Sequence, residues 1–194
     1  MHTVLVDARR GHPGLHGFAV VMAGLALVCV ALAAVDPRTL LGAPLWFKPL
    51  KFAISLAFYS ATTAWMLGKL PHGTLRRTGW VLVVTAAIEM LIIVPQATRG
   101  VQSHFNPTAT GSLLYDVMGA SITVFFLATA AVAVRFLRER GIEPAMATAI
   151  RLGLLVSLLG MSVGFLLGVN GGHAVGVPDG GPGLPLVGWS TTGG

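Results

Sequence analysis

Apolar residues run along this chain in five long blocks, at positions 15–35, 50–68, 79–97, 112–134 and 147–169, each closed off by a short polar or basic stretch. None alternates with a period of two, so the pattern predicts helices and not strands. A helix of about 20 residues crosses a bilayer core of about 30 Å at 1.5 Å per residue. The predicted fold is therefore all-α, a bundle of five transmembrane spans filling residues 1–169 as one domain. Within the third block, Thr78, Thr85, Glu89, Gln96 and Arg99 are spaced 7, 4, 7 and 3. That spacing gathers them on one helical face and leaves Val, Leu and Ile for lipid on the others.

Composition strengthens this class. Only 10% of the 194 residues are charged and 54% are hydrophobic, with a mean hydropathy of +0.78. Soluble domains carry about 25% charged residues. The net charge of +6 comes from residues flanking apolar blocks, so its expected partners are anionic lipid headgroups, not nucleic acid. The single cysteine, Cys29, lies inside the first block and has no intrachain partner.

Basic residues also predict an orientation. With the N-terminus inside, nine fall on inner segments: Arg9, Arg10, Lys69, Arg76, Arg77, Arg135, Arg138, Arg140 and Arg151. Four fall outside: Arg38, Lys48, Lys51 and Arg99. This places the chain in a bacterial cytoplasmic (inner) membrane, N-terminus inside. Arg9, Arg10 and the small residues Ala31 and Ala33 also fit a cleaved secretory signal, but the apolar run is longer than a signal core and favours a retained span. Residues 170–194 are rich in Gly and Pro and hold no Lys or Arg. They read as an outer loop or tail, docked through Leu184, Leu186, Val187 and Trp189. Either the natural terminus is such a loop or the chain is a fragment lacking a further helix; both readings stay open.

Glu89 is the sharpest chemical feature. A charged residue at the centre of a span costs roughly 2.5–3.5 kcal/mol on insertion scales, so such residues are neutralised, paired or used. Equal counting places Tyr59, Thr123 and Ser157 at similar depth. Glu89, Tyr59, Thr123 and Gln96 thus form a candidate proton or polar path; the structural alternative is a Glu89 hydrogen-bonded to Tyr59 or Thr123. Toward the outer side, Lys48, Lys51, Arg99, His104, Asn106, Asp116, His173 and Asp179 form a candidate outer-mouth binding cluster. Arg99 and Asp116 are expected to pair. Metal or haem ligation would fall to His104 and His173, which lack motif spacing; the sequence requires no cofactor. Gly153, Ser157, Gly160, Gly164 and Gly168 make a small-residue face on the fifth block, suited to packing within the bundle or to a homo- or hetero-oligomer. Phosphate-binding loops, nucleophile elbows and zinc-protease motifs are absent.

The stretches 46–52, 99–106 and 179–191, which read WFKPLKF, RGVQSHFN and DGGPGLPLVGWST, resemble those of uncharacterised bacterial multi-pass membrane proteins. The resemblance implies no activity. The expected function is small-molecule or proton-coupled transport or sensing through an outward-facing polar site, and not catalysis. A membrane oxidoreductase or haem or metal protein, and a structural subunit of a membrane complex, are the alternatives.

Overall fold

The computed structural model describes residues 10–40, 42–106 and 108–170, with side chains to Phe165. The fold is all-helical: α1 (Pro13–Val35), α2 (Phe47–Leu67), α3 (Arg76–Thr98), α4 (Ala109–Arg138) and α5 (Pro144–Asn170). A two-residue antiparallel pair, β1 (Thr39–Leu40) with β2 (Ala43–Pro44), closes the α1–α2 turn. His173, Asp179 and the rest of the outer segment expected over 171–194 lie outside the described residues.

Among the described residues, four helices are long and apolar enough to cross a membrane: α1, α3, α4 and α5. The second expected span falls in α2, which is not among them. Its length is sufficient, because 21 residues extend about 31 Å. Its composition is the difference: Lys48 and Lys51 stand in its first turns, and Tyr59, Ser60, Thr62 and Thr63 lie further along. Ser60 and Thr63 are buried, so part of the polarity of α2 faces inward.

The helix termini follow local chemistry. The His12 side chain caps α1, its Nδ1 accepting from Leu15 N at 3.1 Å, with Pro13 at the first helical position. Thr108 caps α4, its Oγ1 accepting from Gly111 N at 3.1 Å. Glu143 caps α5, accepting from Ala145 N and Met146 N, both at 2.9 Å. Those backbone donors hold the Glu143 carboxylate below its usual titration range. At the other end of α1, Asp36 accepts from Arg38 Nη2 at 2.7 Å and from Trp46 Nε1 at 2.8 Å. Arg38 Nη1 goes on to donate to Thr98 O at 3.1 Å, tying this turn to the end of α3. The Arg38 and Trp46 donors hold Asp36 well below the usual carboxylate range.

Successive helices alternate in direction. The start of α1 meets the end of α2 and the start of α3: Gly11 touches the backbone of Ala64 and Gly68, and His12 Nε2 donates to Arg76 O at 3.0 Å. Helix α1 packs chiefly on α2, α3 and α4 pack chiefly on each other, and α5 packs on α4. Leu15, Leu82, Val132, Phe136 and Ile150 form the core at that end. Met22, Ala53, Met90, Ile93 and Met118 form the core further along.

The surface is apolar where a soluble protein would be polar. Leu27 is 74% exposed, Phe58 72% and Leu91 72%, with many Val and Leu beside them. Contiguous apolar surface on this scale calls for an apolar surrounding. Meanwhile Thr85, Glu89 and Gln96, the middle of the polar stripe on α3, are buried. The bundle carries polarity inside and hydrocarbon outside.

Arg151 turns back onto the end of α4. Its Nε donates to Phe136 O at 3.1 Å and its Nη2 to Glu139 O at 2.8 Å. It thereby satisfies carbonyls that the end of α4 leaves without helical partners. Arg151→Gln is expected to destabilise the protein by about 2–3 kcal/mol, since bonds from charged donors contribute about 1.5–3 kcal/mol each and some relax onto water. Unfolding in mixed detergent micelles, followed by circular dichroism, measures it; a change near zero would show the cap to be dispensable.

Candidate functional site

The polar face of α3 meets a cavity of about 610 Å³ walled by α2, α3, α4, α5 and the α3–α4 loop. This volume falls within the range of about 300–1,000 Å³ common for small-molecule sites. Lys48, Lys51 and Phe52 come from α2, Glu89 from α3, and His104 and Phe105 from the loop. Helix α4 adds Tyr115, Met118 and Thr123, while α5 adds Met161, Gly164 and Phe165.

Glu89 is 6% exposed, and its Oε1 is buried with no hydrogen-bond partner among the described residues. A buried polar atom left in this state costs about 1–3 kcal/mol. Neither hydroxyl expected to satisfy it does so. Thr123 lines the cavity, but its Oγ1 donates to Gly119 O at 2.7 Å, one turn back on its own helix. Tyr59 lies 2.6 Å from Thr129 Oγ1, and Thr129 donates to Phe125 O at 2.9 Å. A hydroxyl has one proton, so Tyr59 donates to Thr129. Its ring also packs on Phe125, centroids 4.8 Å apart. Tyr59 thus fastens α2 to α4. It lines a second cavity of about 410 Å³ between α2 and α5, together with Ser157. The four residues placed at one depth therefore divide between two cavities, Glu89 and Thr123 in one, Tyr59 and Ser157 in the other.

Around the first cavity the residues of the outer cluster separate by role. Lys48 is half-buried and its positive charge acts on Glu89. His104 is half-buried, with Phe52, Tyr115 and Phe105 rings at centroid distances of 6.3, 5.9 and 6.4 Å. Its Nδ1 lies 3.1 Å from Ser103 Oγ, and Ser103 is buried. Phe105 has a φ of 53°, a left-handed backbone that costs a non-glycine residue of order 1 kcal/mol or more. That conformation stands with its ring on Tyr115, centroids 5.0 Å apart.

Gln96, Arg99 and Asn106 build the loop and do not line the cavity wall described above. Gln96 Nε2 donates to Gln102 O at 3.4 Å, and Arg99 Nη1 donates to Gln96 Oε1 at 3.1 Å. Asn106 Nδ2 donates to Gln102 O at 3.2 Å, while its Oδ1 accepts from Thr108 N at 3.1 Å. The expected pair between Arg99 and Asp116 is not formed; Arg99 turns to Gln96, and Asp116 is exposed on α4. Both are exposed, and an ion pair between exposed groups contributes little.

The described glycines of α5 do not make a close helix contact. A Cβ built on Gly153, Gly160 or Gly164 would meet nothing within 4 Å. Gly164 lines the first cavity and Gly153 the second. These positions leave space, as does Gly119 on α4. Among the described residues, no three His, Cys, Asp or Glu side chains gather as a metal site. The residues that sequence reasoning passed over are the apolar wall: Phe52, Phe105, Tyr115, Met118, Met161 and Phe165. Nothing in an apolar block distinguishes a cavity-lining Met from a core Met.

The four apolar helices, the outward apolar faces and the inward polar stripe support a multi-pass helical membrane protein with an internal amphipathic cavity. No protein-family model matches the chain, and no curated protein or solved structure matches it either.

Proposed function

We propose that the protein binds a small molecule in the cavity beside Glu89 and transports or senses it, with Glu89 exchanging a proton during the cycle. One observation carries this reading: a buried carboxyl oxygen with no hydrogen-bond partner among the described residues, in the wall of a largely apolar cavity. A bilayer-depth acid kept without a protein partner is a functional group by default. On this reading all five helices cross the cytoplasmic membrane of a bacterium, as in the multi-pass proteins the sequence resembles. The end bearing Arg76, Arg135 and Arg138 faces the cytoplasm, and the cavity opens toward the outer side.

The test is pH-dependent binding or flux in proteoliposomes with a fluorescent amphiphilic probe, comparing wild type with Glu89→Gln. Wild-type activity should titrate across the range of carboxylate protonation, and Glu89→Gln should be flat over the same range. Superimposable profiles would remove Glu89 from the mechanism.

A further inference from the structure

Two properties of the first cavity restrict what can fill it. The first is Glu89 Oε1, buried without a hydrogen-bond partner among the described residues. A ligand that covers this oxygen without bonding to it leaves it orphaned, which is costly. The Thr123 hydroxyl on the same wall has its proton committed to Gly119 O. Lys48, Lys51 and His104 also line the cavity and have interactions of their own, so recognition is not assigned to them. The second property is the wall itself. It presents rings from four elements: Phe52 from α2, Phe105 from the loop, Tyr115 from α4 and Phe165 from α5. Flat aromatic ligands gain edge-to-face and offset contacts with such rings beyond the area they bury.

The chemistry of the acid narrows the ligand further. An ionised carboxyl only accepts hydrogen bonds, while a protonated one also donates. An ammonium donates and cannot accept, and an ether accepts and cannot donate. A hydroxyl does both, so it matches the acid in either protonation state. We infer that the cavity takes an uncharged lipophilic phenol, its ring among the aromatic side chains and its hydroxyl paired with Glu89. A substituted ring with a short hydrocarbon tail suits a volume of about 610 Å³. This rests on the cavity being the binding site.

The test uses the full chain in nanodiscs of zwitterionic lipid, with uptake into empty nanodiscs subtracted. Four probes share one tail: 4-octylphenol, 4-octylanisole, 4-octylcyclohexanol and 4-octylbenzylammonium. The phenol should bind saturably and most tightly. The anisole, which lacks only the donor, should bind about tenfold more weakly. The cyclohexanol, which lacks only the aromatic ring, should bind about fivefold more weakly. Glu89→Leu should bring the phenol-to-anisole ratio to about one. Glu89→Gln should keep the preference, because an amide also donates and accepts. Gly164→Trp and Gly119→Phe, each placed in open space at the cavity wall, should abolish saturable binding. A phenol preference that persists in Glu89→Leu, or equal binding of phenol and anisole by wild type, would overturn the role of Glu89 as the hydroxyl's partner. Cyclohexanol binding as tightly as phenol would overturn the aromatic ligand, and tighter binding of the ammonium would overturn the uncharged one. These outcomes leave the cavity standing as a binding site. Absence of saturable binding, or binding that both glycine variants leave unchanged, would overturn the site itself and with it the reading on which the phenol rests.

Discussion

Glu89→Leu is expected to make the protein more stable, by about 1–3 kcal/mol, while abolishing its proton-linked activity. Leu and Glu differ little in volume, so the substitution leaves the packing of Ala86, Met90 and Ile93 around α3 in place. What it removes is a carboxyl whose Oε1 is buried without a hydrogen-bond partner, and orphaned polar groups cost about 1–3 kcal/mol. The opposite result is expected if Glu89 locks helices together, since removing a satisfied buried partner leaves the other group orphaned. The hydroxyls that would take that part are occupied, Tyr59 by Thr129 and Thr123 by Gly119 O. Unfolding of both proteins in mixed micelles decides it. A loss of more than about 1 kcal/mol in Glu89→Leu would make Glu89 a structural residue.

His12→Ala is expected to cost about 3–4 kcal/mol, the largest loss from any single polar substitution at the His12 end. His12 is 1% exposed. Its Nδ1 accepts from Leu15 N, so its Nε2 carries the hydrogen that it donates to Arg76 O. One ring thus caps α1 and ties it to α3. Loss of the cap costs about 1 kcal/mol, the second bond about 1 kcal/mol, and the cavity between Trp80 and Gly79 the remaining 1–2 kcal/mol or so. The ring stacks edge-on with Trp80, centroids 5.5 Å apart. It lies so close to Gly79 that a Cβ there would stand 2.5 Å from its Nε2. Gly79→Ala should therefore cost about 1–3 kcal/mol by overpacking. In the double substitution the new methyl enters the space the ring has left, so the combined loss should fall below the sum by about 1 kcal/mol. Strict additivity would mean that the two positions do not share this space.

Much of the architecture was legible in the chain. Block length and near-absence of charge lead to membrane-length helices, because a backbone in hydrocarbon must satisfy its own hydrogen bonds. The polar stripe on α3 was legible because helical spacing alone aligns Thr85, Glu89 and Gln96, and all three are buried. The second block was harder. Its hydroxyls lower the hydropathy of α2, yet Ser60 and Thr63 are turned inward, which only packing decides.

The site was legible in part. Lys48, Lys51, His104 and Glu89 drew notice because ionisable groups are rare here, and the fold brings them to one cavity. Partners within the bundle were not legible. Equal counting along separate helices placed Tyr59 beside Glu89, but tilt and rotation carry its hydroxyl to Thr129. Charge suggested Arg99 with Asp116, but Gln96 lies one turn from Arg99 on the same helix and takes its donor. The role of His12 has no sequence signal, since a cap and a cross-helix bond depend on where the next helix begins.

The amino-acid sequence by itself determined the all-helical, apolar class of molecule, the rough positions of the five described helices, and the acid that hydrocarbon would not tolerate idly. These follow from local composition and from the 3.6-residue period, which act before any tertiary contact forms. Only the tertiary structure decided that one oxygen of that acid is buried with no hydrogen-bond partner among the described residues, in a cavity that two lysines and a set of apolar side chains also line. That arrangement depends on glycines at Gly119 and Gly164 leaving space where two helices could have met. An unfilled volume has no sequence signature, because it consists of what neighbouring chains fail to touch.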